Sequence, residues 1–176
     1  MKTGLKWREW RGLHDIYSLG ATTARIKDNP YIKHLINRGL LKISPKNPNR
    51  IMSTERFSDY YASRHLEKYN YYSAFFDNND LGTPHSNYTE DDIGTLILIS
   101  DNRDGIKASA QTRRGLSAEL FEDSKYIEEH PGLEKAILKL LELKDFPGQD
   151  PKDNQYIFFT PSKLLKLLSC VKIYTF

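Results

Sequence analysis

The chain has 176 residues, 39% of them hydrophobic and 28% charged, and a net charge of +3, enough for one domain of ordinary size or two small ones. No run of about 18 apolar residues occurs, and residues 1–10 (MKTGLKWREW) lack the apolar stretch of a signal peptide. Cys170 is the single cysteine, which excludes a disulfide framework and a cysteine zinc cluster, and a cytoplasmic protein is expected.

Residues 5–19 predict a first helix, because Trp10, Leu13, Ile16 and Tyr17 recur three and four apart and form one apolar stripe. Gly20 is placed to end it with a positive φ. Asp28, Asn29 and Pro30 read as a start signal, a capping side chain followed by proline at the first helical position. The helix over 30–38 is expected to bury Tyr31, Leu35 and Ile36 and to close at Gly39. Strands are expected over 40–43 and 50–53, joined by the turn-forming run SPKNPN at 44–49. A further helix starts at Ser53 or Thr54 and passes Tyr60 and Tyr61. Tyr69, Tyr71, Tyr72, Phe75 and Phe76 are expected to continue it and to pack between the two halves of the chain. Helix, turn, helix and hairpin together resemble a winged helix-turn-helix, with 29–38 as its recognition element and 44–49 as the tip of its wing.

Residues 77–92 are rich in turn formers and read as a linker loop. Thr95-Leu96-Ile97-Leu98-Ile99 suits a strand buried on both faces, and 101–105 a tight turn. Residues 115–129 are helical in part, and Pro131 opens an amphipathic helix burying Leu133, Ala136, Ile137, Leu140 and Leu141. A strand over 156–159, a helix over 162–168 and a strand-like run over 171–176 follow. The expected fold class is therefore α+β: a winged-helix domain over 1–76, a linker over 77–92 and a small α/β unit over 93–176. Because the chain stops inside an apolar run, a fragment of a longer protein is expected, with the next domain absent.

The charge is unevenly divided. Residues 1–70 hold 14 Lys/Arg against 6 Asp/Glu, and residues 71–176 hold 12 against 17. A basic first part suits a polyanion. On the 29–38 helix the polar set is Lys33, His34, Asn37 and Arg38, preceded by Arg25 and Lys27, while Lys46, Asn49 and Arg50 flank the hairpin tip. Lys and Arg neutralise phosphates, and Arg and Asn also pair with base edges, so these nine residues are the expected DNA-binding set. The competing reading is a solvated basic face on a protein-binding winged helix.

Catalytic and metal sites find less support. His14, His34, His65, His85 and His130 are scattered. The stretch from Asp77 to Gly82 begins like a calcium loop, but Leu81 and Tyr88 fall where ligands belong. Glu90, Asp91 and Asp92 have the chemistry to hold Mg²⁺, although a charged loop before a strand is the commoner explanation. No glycine-rich phosphate loop occurs. Cys170, beside Leu167, Leu168 and Val171, reads as core, and Tyr60 and Tyr61 as packing rather than as nucleophiles. No catalytic residue, metal ligand or cofactor is expected in the chain as it stands.

One segment carries a resemblance to a family. Residues 113–128, RRGLSAELFEDSKYIE, are similar to the "lFgDSKxlE" stretch in the nuclease component of Wadjet-type SMC defence systems, which is related to the A-type component of topoisomerase VI. Phe121, Asp123, Ser124, Lys125 and Glu128 match that motif, and Glu122 stands where a glycine is common. The resemblance implies a DNA-binding region ahead of a Toprim domain whose carboxylates hold Mg²⁺ or Mn²⁺. No Toprim glutamate or Asp-x-Asp follows Asp153, so no catalytic residue is carried over. Asp123, Ser124 and Lys125 are expected to form a structural cap. The implied partners are double-stranded DNA and SMC-complex subunits, with a homodimer allowed and no membrane. The alternatives are a freestanding winged-helix regulator, a phage DNA-binding protein, or an adaptor that docks onto a protein through its aromatic stretch.

Overall fold

The computed structural model describes residues 4–109 and 111–147. They form a mixed α+β structure, mostly helical, with one three-stranded antiparallel sheet. Two compact units divide between Ile93 and Gly94. The expected elements over 156–159, 162–168 and 171–176, and with them Cys170, lie outside the described residues.

The first unit begins with α1 (Trp7–Leu19), whose Trp10, Leu13 and Ile16 are buried as the stripe predicts. Gly20 caps it at φ 77° and donates its N–H to the Ile16 carbonyl, a conformation that favours glycine. Gly12 is the other position on α1 where glycine matters, because a Cβ there would lie 2.7 Å from Ile26 Cδ1. The chain then forms β1 (Ala21–Thr22) and, after a turn, α2 (Pro30–Asn37). The hairpin of β2 (Leu41–Ile43) and β3 (Ile51–Ser53) follows, and β1 pairs with the far arm, giving the order β1-β3-β2. A strand thus stands between the first two helices, where the sequence shows only a turn.

Two details of this part correct the expectation. The residues that α2 buries are Ile32 and Leu35, while Tyr31 and Ile36 are half-buried. The next helix, α3 (Phe57–Tyr61), starts later than Ser53 or Thr54. Both hydroxyls are engaged elsewhere: Thr54 Oγ1 donates to the Gly39 and Leu40 carbonyls, each at 2.9 Å, and Ser53 Oγ to that of Gly20 at 3.2 Å.

From α3 the chain stays helical through a π-helical segment, Ala62–Leu66, into α4 (Glu67–Asn78). Tyr69, Tyr72 and Phe76 of the aromatic stretch pack on α1 within the first unit. Tyr69 stacks on Trp7 at 5.3 Å and on His14 at 4.0 Å, and Tyr72 meets Trp10 edge-on. Residues 79–89 also belong to this unit: the Trp7 and Arg8 N–H groups donate to the Tyr88 and Ser86 carbonyls, and Lys6 bridges Thr89. Pro84 and Tyr88 are buried. Asp77 to Gly82 ends α4, where Leu81 N–H donates to the Phe76 carbonyl.

The apolar run from Thr95 to Ile99 is not a strand. It lies in α5 (Glu90–Asp101), which crosses the boundary between the units. Thr89 and Asp92 form a reciprocal cap, with Asp92 N–H donating to Thr89 Oγ1 at 3.1 Å and Thr89 N–H to Asp92 Oδ2 at 2.7 Å. Three acidic residues in the first turn complement the helix dipole. The expected turn over 101–105 shrinks to a break at Asn102, whose side chain donates to the Leu98 carbonyl, and α6 (Arg103–Ala108) continues.

In the second unit α7 (Arg113–Phe121), α8 (Tyr126–Glu129) and α9 (Pro131–Leu140) follow. Leu133, Ala136, Ile137, Leu140 and Leu141 are all buried, as the 3.6-residue pattern predicts. The expected α/β unit holds helices and no strand among its described residues.

Candidate nucleic-acid interface

On α2 the buried pair Ile32 and Leu35 fixes which face is free. Successive residues turn by about 100°, so Lys33, His34, Asn37 and Arg38 share the opposite face, and all four are exposed. Asn29 Oδ1 accepts the Tyr31 N–H at 2.8 Å and Pro30 occupies the first helical position, the start that the sequence signals. Gly39, at φ 70°, turns the chain from this helix into the hairpin.

The hairpin tip is held by local bonds. Asn47 Oδ1 accepts the Asn49 N–H at 3.0 Å, and the Ser44 N–H donates to the Arg50 carbonyl at 2.8 Å. Lys46, Asn49 and Arg50 are exposed along it, as is Arg25 in the turn before α2. Lys27 Nζ reaches Asn49 Oδ1 at 3.5 Å, so the turn and the hairpin tip meet. The sequence-predicted residues therefore all lie in the first unit, and Lys27 and Asn49 are the two that touch. Lys33, His34, Asn37, Arg38, Lys46, Arg50 and Arg25 make no side-chain hydrogen bond or ion pair among the described residues, which leaves their donors available.

Sequence reasoning missed a polar cluster behind α2. The Tyr31 hydroxyl bonds Tyr60 Oη at 2.8 Å and His65 Nε2 at 2.7 Å, linking α2 to α3 and to the π-helical segment. His65 is 5% exposed and meets Trp10 edge-on. Burial pushes its pKa down to about 4, with Lys68 and Arg64 acting the same way against the opposing pull of Glu90. Burial likewise raises Tyr31, followed by its bond to Tyr60, while Arg64 and Arg38 pull it down. Tyr61 is buried and bonds His14 Nδ1 at 3.4 Å, and burial raises its hydroxyl well above the ordinary tyrosine range. No local pattern in the sequence marks this cluster, because Tyr31 meets residues 29 and 34 positions away.

The remaining candidates have structural places. Glu90, Asp91 and Asp92 form the first turn of α5, where Asp92 serves the cap and Glu90 pairs with Lys68 at 2.8 Å. In the second unit Asp123 Oδ1 accepts the Lys125 N–H at 2.9 Å. The Ser117 hydroxyl donates to the Asp123 carbonyl and accepts the Ile127 N–H, which joins α7 to α8. Phe121 stacks on Tyr126, Glu128 pairs with Arg113, and Ser124 and Lys125 are exposed. Among the described residues no three His, Cys, Asp or Glu side chains gather to hold a metal ion, and no helix is long and apolar enough to cross a membrane. No family model matches the chain, and no curated protein or solved structure matches it either.

Proposed function

We propose that the first unit binds double-stranded DNA as a winged helix-turn-helix, with α2 as the recognition helix and the β2–β3 hairpin as the wing. The observation that carries this reading is the face of Lys33, His34, Asn37 and Arg38, opposite the buried stripe and free of side-chain hydrogen bonds and ion pairs among the described residues. Arg25 and Lys27 before the helix, and Lys46, Asn49 and Arg50 on the hairpin, extend it. The element order and the return of β1 to β3 support the winged-helix assignment. Tyr72 and Phe76 are buried and Tyr69 is stacked inside the same unit, which leaves Tyr71 as the exposed ring of the aromatic stretch for the competing docking reading.

Each phosphate neutralised contributes about 0.9 to the slope of log affinity against log salt. With four to six contacts, duplex affinity falls steeply between low and physiological salt. Fluorescence anisotropy with a labelled duplex at two salt concentrations measures this. Replacing Lys33, Arg38 and Arg50 together by Ala flattens the slope by roughly 3. An unchanged slope and affinity in that variant sinks the assignment of the face.

In the same reading the chain is the DNA-binding region of a Wadjet-like defence nuclease, with SMC-complex subunits as partners and Mg²⁺ or Mn²⁺ needed by a following Toprim domain. Glu122 supports the motif: at the position where that family commonly has glycine, its φ is 58°. Reading the gene beyond codon 176 tests the parentage, and a stop codon there favours a freestanding regulator or phage DNA-binding protein.

A further inference from the structure

A cleft enclosing about 300 Å³ opens on the first unit where the starts of α1 and α2 come together. Three cations, Lys6, Arg8 and Arg25, line it with Glu9, Asp28 and Asn29. Glu9 is 2% exposed and fully employed: one carboxylate oxygen accepts the Lys6 N–H at 2.7 Å and the other the Arg8 Nε–H at 2.6 Å. It anchors Arg8 and leaves the terminal amino groups of that guanidinium open. Arg25 is exposed, and neither it nor the Lys6 ammonium has a side-chain partner among the described residues. Asp28 stands exposed at the rim, so the lining carries an excess of one positive charge.

We propose that this cleft binds a phosphate group. Two guanidinium forks and an ammonium around one space offer more donors than the two carboxylates can accept, and a tetrahedral oxyanion matches that surplus. The space holds about ten waters, which is room for a phosphate with part of an attached sugar. This extension rests on the winged-helix reading in one respect: Arg25 belongs both to the cleft and to the set of residues assigned to the duplex, so the phosphate would be one of its backbone. The cleft thus adds Lys6 and Arg8 to the binding residues.

The test uses the full chain and two probes. Inorganic phosphate is titrated at constant ionic strength while the Arg8 and Arg25 Nε–H resonances are followed by NMR. Saturable shifts are expected, and the Arg8 shift is lost in the Lys6→Gln/Arg25→Gln double variant, which leaves the Glu9–Arg8 pair intact. Asp28→Asn removes a repelling charge and should tighten phosphate about threefold, a gain that misfolding cannot imitate. Absence of saturation together with an unaltered Asp28→Asn response overturns the proposal. The second probe is the labelled duplex, whose salt slope should fall by about 1 in the double variant, the share of one phosphate. Phosphate saturation with an unchanged duplex slope keeps the site and assigns it to a free phosphoester. Phosphate saturation in a wild-type chain that binds no duplex also keeps the site while refuting the winged-helix reading.

Discussion

His65 is the residue whose burial has the clearest consequence in solution. The unfolded side chain protonates near 6.5, but in the fold burial holds its pKa at about 4. Between those values the unfolded state binds more protons, so stability is complete above pH 6.5 and falls as the pH drops toward 4. The loss amounts to about 3 kcal/mol for a group this enclosed. Urea denaturation at pH 7 and at pH 4.5 measures it, and His65→Phe should remove that share of the pH dependence. Glu122 offers a change in the other direction. Its left-handed backbone suits glycine, so Glu122→Gly is expected to stabilise the second unit by about 0.5–1 kcal/mol, read as a rise in melting temperature. Residues of this kind differ in how far the sequence reveals them. Leu133, Ala136, Ile137 and Leu140 were legible because one helix sets their phase. Tyr31, Tyr60 and His65 were not, because their meeting depends on three elements packing first.

At the scale of elements, α5 shows how a local signal was outweighed. Thr95 to Ile99 satisfies both a buried strand and a buried helix, since a short continuous apolar run has no period of its own. The decisive information lies upstream, in Thr89 and Asp92, whose spacing forms a cap. Thr89→Ala is expected to cost about 1–2 kcal/mol, because it leaves Asp92, 4% exposed, without its hydroxyl donor. Chemical denaturation followed by circular dichroism measures that loss. The hairpin and α2 were legible for the opposite reason: Asn29-Pro30, Gly39 and the 44–49 turn residues each demand a specific backbone. β1 escaped notice because it is two residues long and exists only by pairing with β3.

For the molecule as a whole, the charge division changes when the structural boundary replaces an arbitrary one. Up to Ile93 the chain holds 14 Lys/Arg and 11 Asp/Glu, because five acidic residues over 77–92 fall in the first unit. Its surplus is +3, so attraction to a polyanion depends on where the cations lie. The free face of α2, the hairpin tip and the cleft beside Arg25 concentrate them. Shielding from salt should therefore act through a few contacts rather than through a broad field. Under the proposed DNA binding, adding negative charge away from these residues should leave duplex affinity nearly unchanged at physiological salt, and Glu substitutions on exposed α4 positions such as Asn70 would show it by anisotropy.

The π-helical segment over Ala62–Leu66 acts as a phase adjuster. Phe57, Tyr61, His65 and Tyr69 step by four residues, and each such step overruns a 3.6-residue turn by about 40°. A wider turn absorbs the overrun and lets Phe57 and Tyr61 share an inward side with His65 and Tyr72. Deleting one residue here would turn the wide turn into an ordinary α-helical one and leave Tyr69, Tyr72 and Phe76 in phase with Trp7 and Trp10. Its damage would stay local, where His65 would lose its place against Tyr31 and Trp10.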